Sequence, residues 1–359
     1  MPKKHPTRLS CVDAMGGLNI ILASGDPYAF GRAIGEQVGP FFKQKILPLP
    51  SFQAHVQRWR GQDHTHHLLS ATQSMFPEFA QEIKGMAEGI DVDFETLLIW
   101  NFRGDLAFSD TYPLPHPDGC TTVLFPGQNG HHTIAHNEDG PFDLLENGFW
   151  LKANPDHGLD FESFLYPGML PGHTLGINER GLVQTINNIQ PFDLKPGVPR
   201  HVIARAVLNC EHLDDALELL NRNDRASGFH HSLMQAGDQR LLSVEAPASG
   251  CDAQNILKAY VHTNHLIRPP LSNIPATISP SSKTRFVRAH ELIDQDLKTK
   301  LLFDRNPGSL SLYRTADDKN FDDEFTLATG VFTITDTGVN WKIMTAPDDP
   351  SALRSAILV

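Results

Sequence analysis

The apolar residues of this chain change their spacing at Cys120. Between Tyr28 and Ile46 they recur at helical intervals (Phe30, Ile34, Val38, Phe41, Phe42, Ile46), and Pro48 and Pro50 close the run. Phe76 to Asn101 repeats the pattern through Phe79, Ile83, Met86, Phe94, Leu97 and Leu98, with a break expected near Asp91 and Asp93. Gly104 to Gly119 carries three prolines and three aspartates and reads as an irregular connection. From Thr121 the period falls to two. Strands are expected at 121–125, 132–136, 148–152, 161–166, 175–177, 182–188, 232–236, 241–245, 259–263, 325–335 and 339–344. Pro126 to Gly130 is a hairpin turn signal. Helices are expected at 201–208, 213–220 and 285–293. Helices first, then many strands with helices inserted, suit an α+β layered domain better than a regular βαβ fold.

Composition narrows the function. The 359 residues carry 30 Lys and Arg against 42 Asp and Glu, a formal charge of −12. That balance argues against a nucleic-acid backbone or an anionic membrane as partner. Four cysteines, none in a CxxC pair, make neither a disulfide scaffold nor a zinc knuckle. The apolar run Leu18–Ala23 is short and broken by Asn19, so no signal peptide is expected, and no stretch approaches the roughly 18–20 apolar residues that cross a bilayer. A cytoplasmic location follows as the expectation. There is no GxSxG, Walker A, HExxH or GxGxxG. His64, His66 and His67, the pair His131–His132 and the pair His230–His231 read as polar residues in loop-like stretches. No metal and no cofactor are expected.

Cys120 follows Gly119 at a loop-to-strand junction. Such a cysteine can be a small buried hydrophobe. Its other reading is chemical. Glycine relaxes into strained backbone geometry at low steric cost, and a thiol directly after that peptide bond can attack its carbonyl. The resulting N→S acyl shift ends in chain cleavage and leaves Cys120 with a free α-amine. An α-amine titrates near ~7.7–8.0 and a thiol near ~8.5, so one residue then offers nucleophile and base together.

The run Asp118-Gly119-Cys120-Thr121-Thr122 resembles the processing site of the acyl-coenzyme A:6-aminopenicillanic acid acyltransferase family, whose members are autoproteolytic N-terminal-nucleophile enzymes related to bile-salt hydrolases and penicillin V acylases. Four further stretches carry the resemblance in order: His136-Asn137-Glu138-Asp139-Gly140, Asn178-Glu179-Arg180-Gly181-Leu182 through Asn188, Thr263-Asn264-His265, and Ser281 through Arg288. Taken alone, each also suits a bland role as a turn cap, hairpin, strand end or helix start. The resemblance implies a four-layer αββα sandwich with a helical N-terminal segment, cut between Gly119 and Cys120 into an α-chain (1–119) and a β-chain (120–359) that stay associated.

It also implies roles. Cys120 would be the nucleophile, Asp139 would orient its ammonium, and Asn264 would stabilise the oxyanion. Arg285 would set charge, with a partnership to Asp139 conceivable. Asn188, His136 and Glu138 would bind oxyanion or substrate, and Thr122 would assist cleavage at Gly119. Glu138 and Gly140 stand where penicillin-forming members have aromatics, closer to a branch that includes β-alanyl-amine hydrolases. The expected partner is a small N-acyl amine substrate, not nucleic acid or a membrane. Two alternatives stand beside the hydrolase: an acyltransferase fed by a thioester donor, and an uncut binding or scaffold module with the family fold.

Overall fold

Polar caps and prolines start most of the helices. The computed structural model describes residues 14–15, 18–106, 119–141, 144, 148–295, 297–315, 324–349 and 352–358. Asp26 accepts from the backbone N–H of Ala29 and Pro27 fills the first turn of α1 (Pro27–Phe41), which continues as a wider π turn through Ile46. Then come α2 (Pro50–Trp59), α3 (Asp63–Met75), α4 (Pro77–Ile90), α5 (Phe94–Asn101) and the short α6 (Arg103–Leu106). The break expected near Asp91 is real. Asp91 adopts a left-handed conformation (φ 68°), and Asp93 caps α5 through the N–H of Thr96. Later helices are α7 (Arg200–Val207), α8 (Leu213–Leu220) and α9 (Pro280–Ile293). The cap of α9 is Ser279 rather than Ser281 or Ser282, which lie inside the helix.

The strands are β1 (Ala14–Met15), β2 (Leu18–Gly25), β3 (Thr121–Phe125), β4 (Thr133–Pro141), β5 (Phe149–Pro155), β6 (Phe161–Leu165), β7 (Leu175–Asn178), β8 (Leu182–Asn188), β9 (Gln190–Pro191), β10 (Phe229–Gln235), β11 (Leu241–Glu245), β12 (Asp252–Asn255), β13 (Tyr260–His262), β14 (Ala276–Thr277), β15 (Glu324–Thr335), β16 (Gly338–Met344) and β17 (Leu353–Leu358). They form a nine-stranded sheet in the order β1-β2-β5-β6-β7-β8-β10-β11-β12 and a six-stranded sheet in the order β13-β3-β4-β15-β16-β17. The pair β9 and β14 stands apart.

The two sheets face each other, with Trp150 of β5 against Trp341 of β16 at 4.9 Å between ring centroids. Helix α1 lies on the outer side of the nine-stranded sheet, its Phe30 edge-on to Phe161 of β6, and α7 joins it through Ala204 O, which accepts from Gln184 of β8. Helix α9 covers the six-stranded sheet, reaching Thr121 of β3 through Arg285. This is the αββα order that the resemblance implies, and it is one form of the α+β layered domain expected from the pattern. Helices α1 and α4 cross at glycines. A Cβ on Gly31 would lie 1.9 Å from Glu82 O, and one on Gly85 would lie 2.0 Å from Tyr28 O, so only glycine permits this approach.

Several features depart from the sequence expectation, among them α2, α3, β9, β12, β14 and β17, which it did not offer. The N-terminal third is not only helical. It contributes β2, which pairs in parallel with β5 from Asn19 opposite Phe149 to Gly25 opposite Pro155. Two of the three histidine clusters are not loops either: His64, His66 and His67 sit on α3, and His230 and His231 sit inside β10, whereas His131 and His132 precede β4 in a connection as expected. Residues 107–118 of the expected irregular connection lie outside the described residues. Among the described residues no helix is long and apolar enough to cross a membrane.

Candidate active site

Strand register fixes which side chains meet. Thr121 pairs with Asn137 and Thr122 with His136 across β3 and β4, which brings Cys120 beside Glu138. Alternation then sorts the residues into two faces. Thr122, His136 and Glu138 face the nine-stranded sheet. The Thr122 hydroxyl donates to Asn187 Oδ1 of β8 (2.7 Å), and the Tyr166 hydroxyl donates to Glu138 Oε1 (2.7 Å). Thr121, Asn137 and Asp139 face the opposite layer. There Thr121 Oγ1 accepts from Arg285 (2.8 Å), and Asn137 donates to the carbonyls of Leu302 (2.7 Å) and Leu312 (2.8 Å). A β-bulge in β15, between Thr326 and Ala328, lies opposite the step from Asp139 to Glu138.

The Gly119–Cys120 junction is held by two buried arginines. Arg314 Nη2 lies within hydrogen-bonding distance of Gly119 O (3.1 Å), Asp139 Oδ2 (2.8 Å) and Glu324 Oε2 (2.9 Å). Arg285 donates to Cys120 O (2.7 Å) and to Asn264 Oδ1 (2.7 Å). Burial first and the nearby Arg314 second push the Arg285 guanidinium below its ordinary value, against the pull of Asp139, Glu324 and Cys120. The Asp139 side chain is fully buried, and its Oδ1 has no hydrogen-bond partner among the described residues. The glycine at 119 is explained by packing, since a Cβ there would lie 2.0 Å from Arg314 Nη2 and 2.2 Å from Glu324 Oε2.

On the other face, Cys120, Glu138, Tyr166, Asn188, His201 and Phe229 line a small cavity of about 10 Å³, room for about one water molecule. Asn188 Oδ1 accepts from Arg200 (2.8 Å) and its backbone carbonyl accepts from Asn264 Nδ2 (3.1 Å). The Arg200 contact fixes which way the amide is turned. Asn188 Nδ2 is then a buried donor without a partner among the described residues. Burial drives the histidines toward the neutral form. His136 is pushed down to about 3, as is His173, and His201 lies well below its ordinary value.

The structure thus gathers every residue the sequence singled out, though not in the expected pairs. Cys120, Glu138 and Asn188 share the cavity, with His136 bonded to Glu138 (3.1 Å). Asp139 meets Arg314 rather than Arg285. Asn264 stands one step back, holding Arg285 and Asn188. The Thr122 hydroxyl points to His136 Nδ1 (2.7 Å) and Asn187. His262 and His265 pack elsewhere, the first stacked on His230 at 3.4 Å and the second bonded to Ser282 (2.8 Å). Arg314, Arg200 and Tyr166 were not read from the sequence; none sits in a recognisable motif.

A family model described as acyl-coenzyme A:6-aminopenicillanic acid acyl-transferase matches residues 126–345, more than half of the chain. The chain belongs to that family. Among curated relatives of this acyl-transferase family member, the beta-alanyl-dopamine/carcinine hydrolase of Drosophila melanogaster is 28% identical over 226 residues, 56% of each chain. An uncharacterized protein of Archaeoglobus fulgidus is 25% identical over 170 residues, covering 41% of this chain and 28% of that one. The chain therefore spans about half the length, or less, of these relatives. A crystal structure of a mutant conjugated bile acid hydrolase from Clostridium perfringens aligns with a TM-score of 0.43 at 12% identity, covering 66% of this chain and 92% of that one.

Proposed function

We propose that this family member is an autoproteolytic cysteine amidohydrolase that acts on a small N-acyl amine. The observation that carries the reading is the placement of Cys120 between two buried groups with unused hydrogen-bonding capacity among the described residues: the acceptor Asp139 Oδ1 and the donor Asn188 Nδ2. The first suits a new ammonium, the second a developing oxyanion.

In maturation Cys120 Sγ attacks the Gly119 carbonyl. Arg314, already donating to that oxygen, stabilises the charge that builds there. The C–N bond breaks, a thioester forms, and water releases the new terminus. The α-chain of 1–119 stays bound because β2 is a strand of the shared nine-stranded sheet. In turnover the Cys120 α-amine, oriented by Asp139, takes the thiol proton. The thiolate attacks the substrate carbonyl, and Asn188 Nδ2 donates to the oxyanion. The proton returns to the leaving amine, and water, activated by the same α-amine, resolves the thioester. An acyltransferase differs only in using an amine at this last step.

The buried Glu138 carboxyl beside Cys120 supports a substrate whose acyl group carries an ammonium, with Phe229 and His201 lining the same cavity. The named activity of the insect relative, on beta-alanyl-dopamine and carcinine, fits that class.

The test is a panel of N-acyl amines with and without an amino group on the acyl part, quenched in acid for intact mass. An acyl adduct on the fragment that begins at Cys120, and preference for amino-bearing acyl groups, is the expected result. Asn188→Ala should lower kcat by roughly 10²–10³-fold. Turnover that survives Cys120→Ala removes the proposal.

A further inference from the structure

The cavity side of Cys120 holds a second arrangement that hydrolysis does not require. Cys120, His136 and Glu138 each offer one ligand atom, and these atoms all lie within 4.8 Å of one another. All three residues are buried. We propose that Cys120 Sγ, His136 Nε2 and Glu138 Oε2 form a three-ligand site for a thiophilic divalent cation such as Zn²⁺, which blocks the nucleophile reversibly.

The hydrogen bonds around the cluster aim the right atoms inward. Thr122 gives its hydroxyl proton to Asn187 Oδ1, so its oxygen accepts from His136 Nδ1–H. The imidazole is thereby fixed with its Nε2 lone pair toward Glu138 Oε2, 3.1 Å away. Tyr166 donates to the other carboxylate oxygen of Glu138, Oε1. A metal-bound histidine ordinarily donates its second N–H to such an outer acceptor, and a ligating carboxylate is ordinarily held in this way.

Sulfur, nitrogen and a single carboxylate oxygen are a zinc donor set, with the fourth position open to the cavity. They do not suit Mg²⁺ or Ca²⁺, which take oxygen ligands. At bonds of about 2.0–2.3 Å, tetrahedral ligand atoms stand roughly 3.3–3.8 Å apart, so side-chain shifts of ~1.5 Å or less close the site. On binding, the Zn–S bond replaces S–H and the thiol proton passes to solvent. The ion also takes the place of the proton shared between Nε2 and Oε2. One thiolate and one carboxylate then balance the divalent charge inside a buried pocket.

That bound zinc stops turnover rests on the nucleophile reading above; the binding itself does not. The experiment uses chelator-treated wild-type protein titrated with ZnCl₂ in a calorimeter, and then labelled with iodoacetamide and mapped by peptide mass spectrometry. The expected result is one ion per chain, Zn²⁺-dependent protection of Cys120 from alkylation, no protection by Mg²⁺, and binding weakened at least ~10-fold in Glu138→Gln. The protection measurement needs no variant, so a misfolded mutant leaves it intact. Zinc that binds without protecting Cys120, or equally well in Glu138→Gln, overturns the site. A protein that passes these tests and hydrolyses no N-acyl amine keeps the zinc site and loses the proposed function. One that hydrolyses but binds no zinc loses the site alone.

Discussion

Arg205 and Arg314 are both fully buried, yet they are partnered in opposite ways. Arg205 of α7 grips Glu82 of α4 with two nitrogens, Nε at 3.2 Å and Nη2 at 2.8 Å. Its guanidinium packs over the rings of Phe79 and Phe161 at 4.8 and 4.5 Å, and His157 adds a bond to the same carboxylate (2.6 Å). Both oxygens of Glu82 are used. Arg314 sits between two carboxylates, Asp139 and Glu324, and Asp139 Oδ1 is left without a partner among the described residues. A buried ion pair that is complete locks elements together. On the function proposed above, the one that keeps a buried acceptor in hand would receive another cation, and the backbone atom it also touches is Gly119 O, the carbonyl whose cleavage would supply an ammonium. On that proposal the first region is architecture and the second serves the chemistry.

Substitutions at the two clusters break or sharpen this contrast. The largest effect is expected at Asp139→Asn, which keeps shape and removes charge. Turnover should fall by ~10²–10⁴-fold, and uncut chain should accumulate on a denaturing gel. Glu82→Gln should do the reverse. It strands the Arg205 charge in the core, costs about 3–5 kcal/mol in urea unfolding, and leaves the kcat of the folded fraction unchanged. If both variants lose activity alone, or both lose stability alone, the distinction between the clusters is wrong.

A smaller effect separates buried from solvated histidines. Burial pushes His231 of β10 down to about 3, with Arg225 adding to it, while an unfolded chain takes up that proton near 6.5. The folded state therefore binds fewer protons, and stability present above pH ~6.5 is lost as pH falls toward 3, by about 1.4 kcal/mol per unit. His231→Gln should flatten the pH dependence of unfolding by that slope. The smallest effect is expected at the half-exposed pair Arg60–Asp93, 3.0 Å apart. Asp93→Asn keeps an oxygen to cap α5 and should cost no more than ~1 kcal/mol.

Most strands after Cys120 were legible because turns and alternation agreed, while β9, β12, β14 and β17 were not expected. Asn129 (φ 54°) and Gly130 (φ 78°) make the turn that Pro126–Gly130 announced. Helices α2 and α3 were not legible. The buried stripe of α3 is Thr65, Leu68 and Thr72, which gives no apolar period, and α2 buries only Phe52 and Val56. Strand β2 hid as a short apolar run because its partner β5 lies some 130 residues away along the chain. Within the site, Cys120, Glu138, Asp139 and Asn188 were read from local motifs. Arg314 could not be, since its partners Asp139 and Gly119 are 175 and 195 residues distant and nothing in its own neighbourhood marks it. The sequence also proposed Arg285 for Asp139. Two arginines reach this junction, and pattern alone does not say which one takes the acid.

Terminal sequencing of purified, active protein bears most directly on the claim that Cys120 becomes a chain end. Two start points are expected, the second reading Cys-Thr-Thr-Val-Leu-Phe in equal amount to the first. A fully active preparation with a single start point, and no free amine at Cys120, would contradict the account.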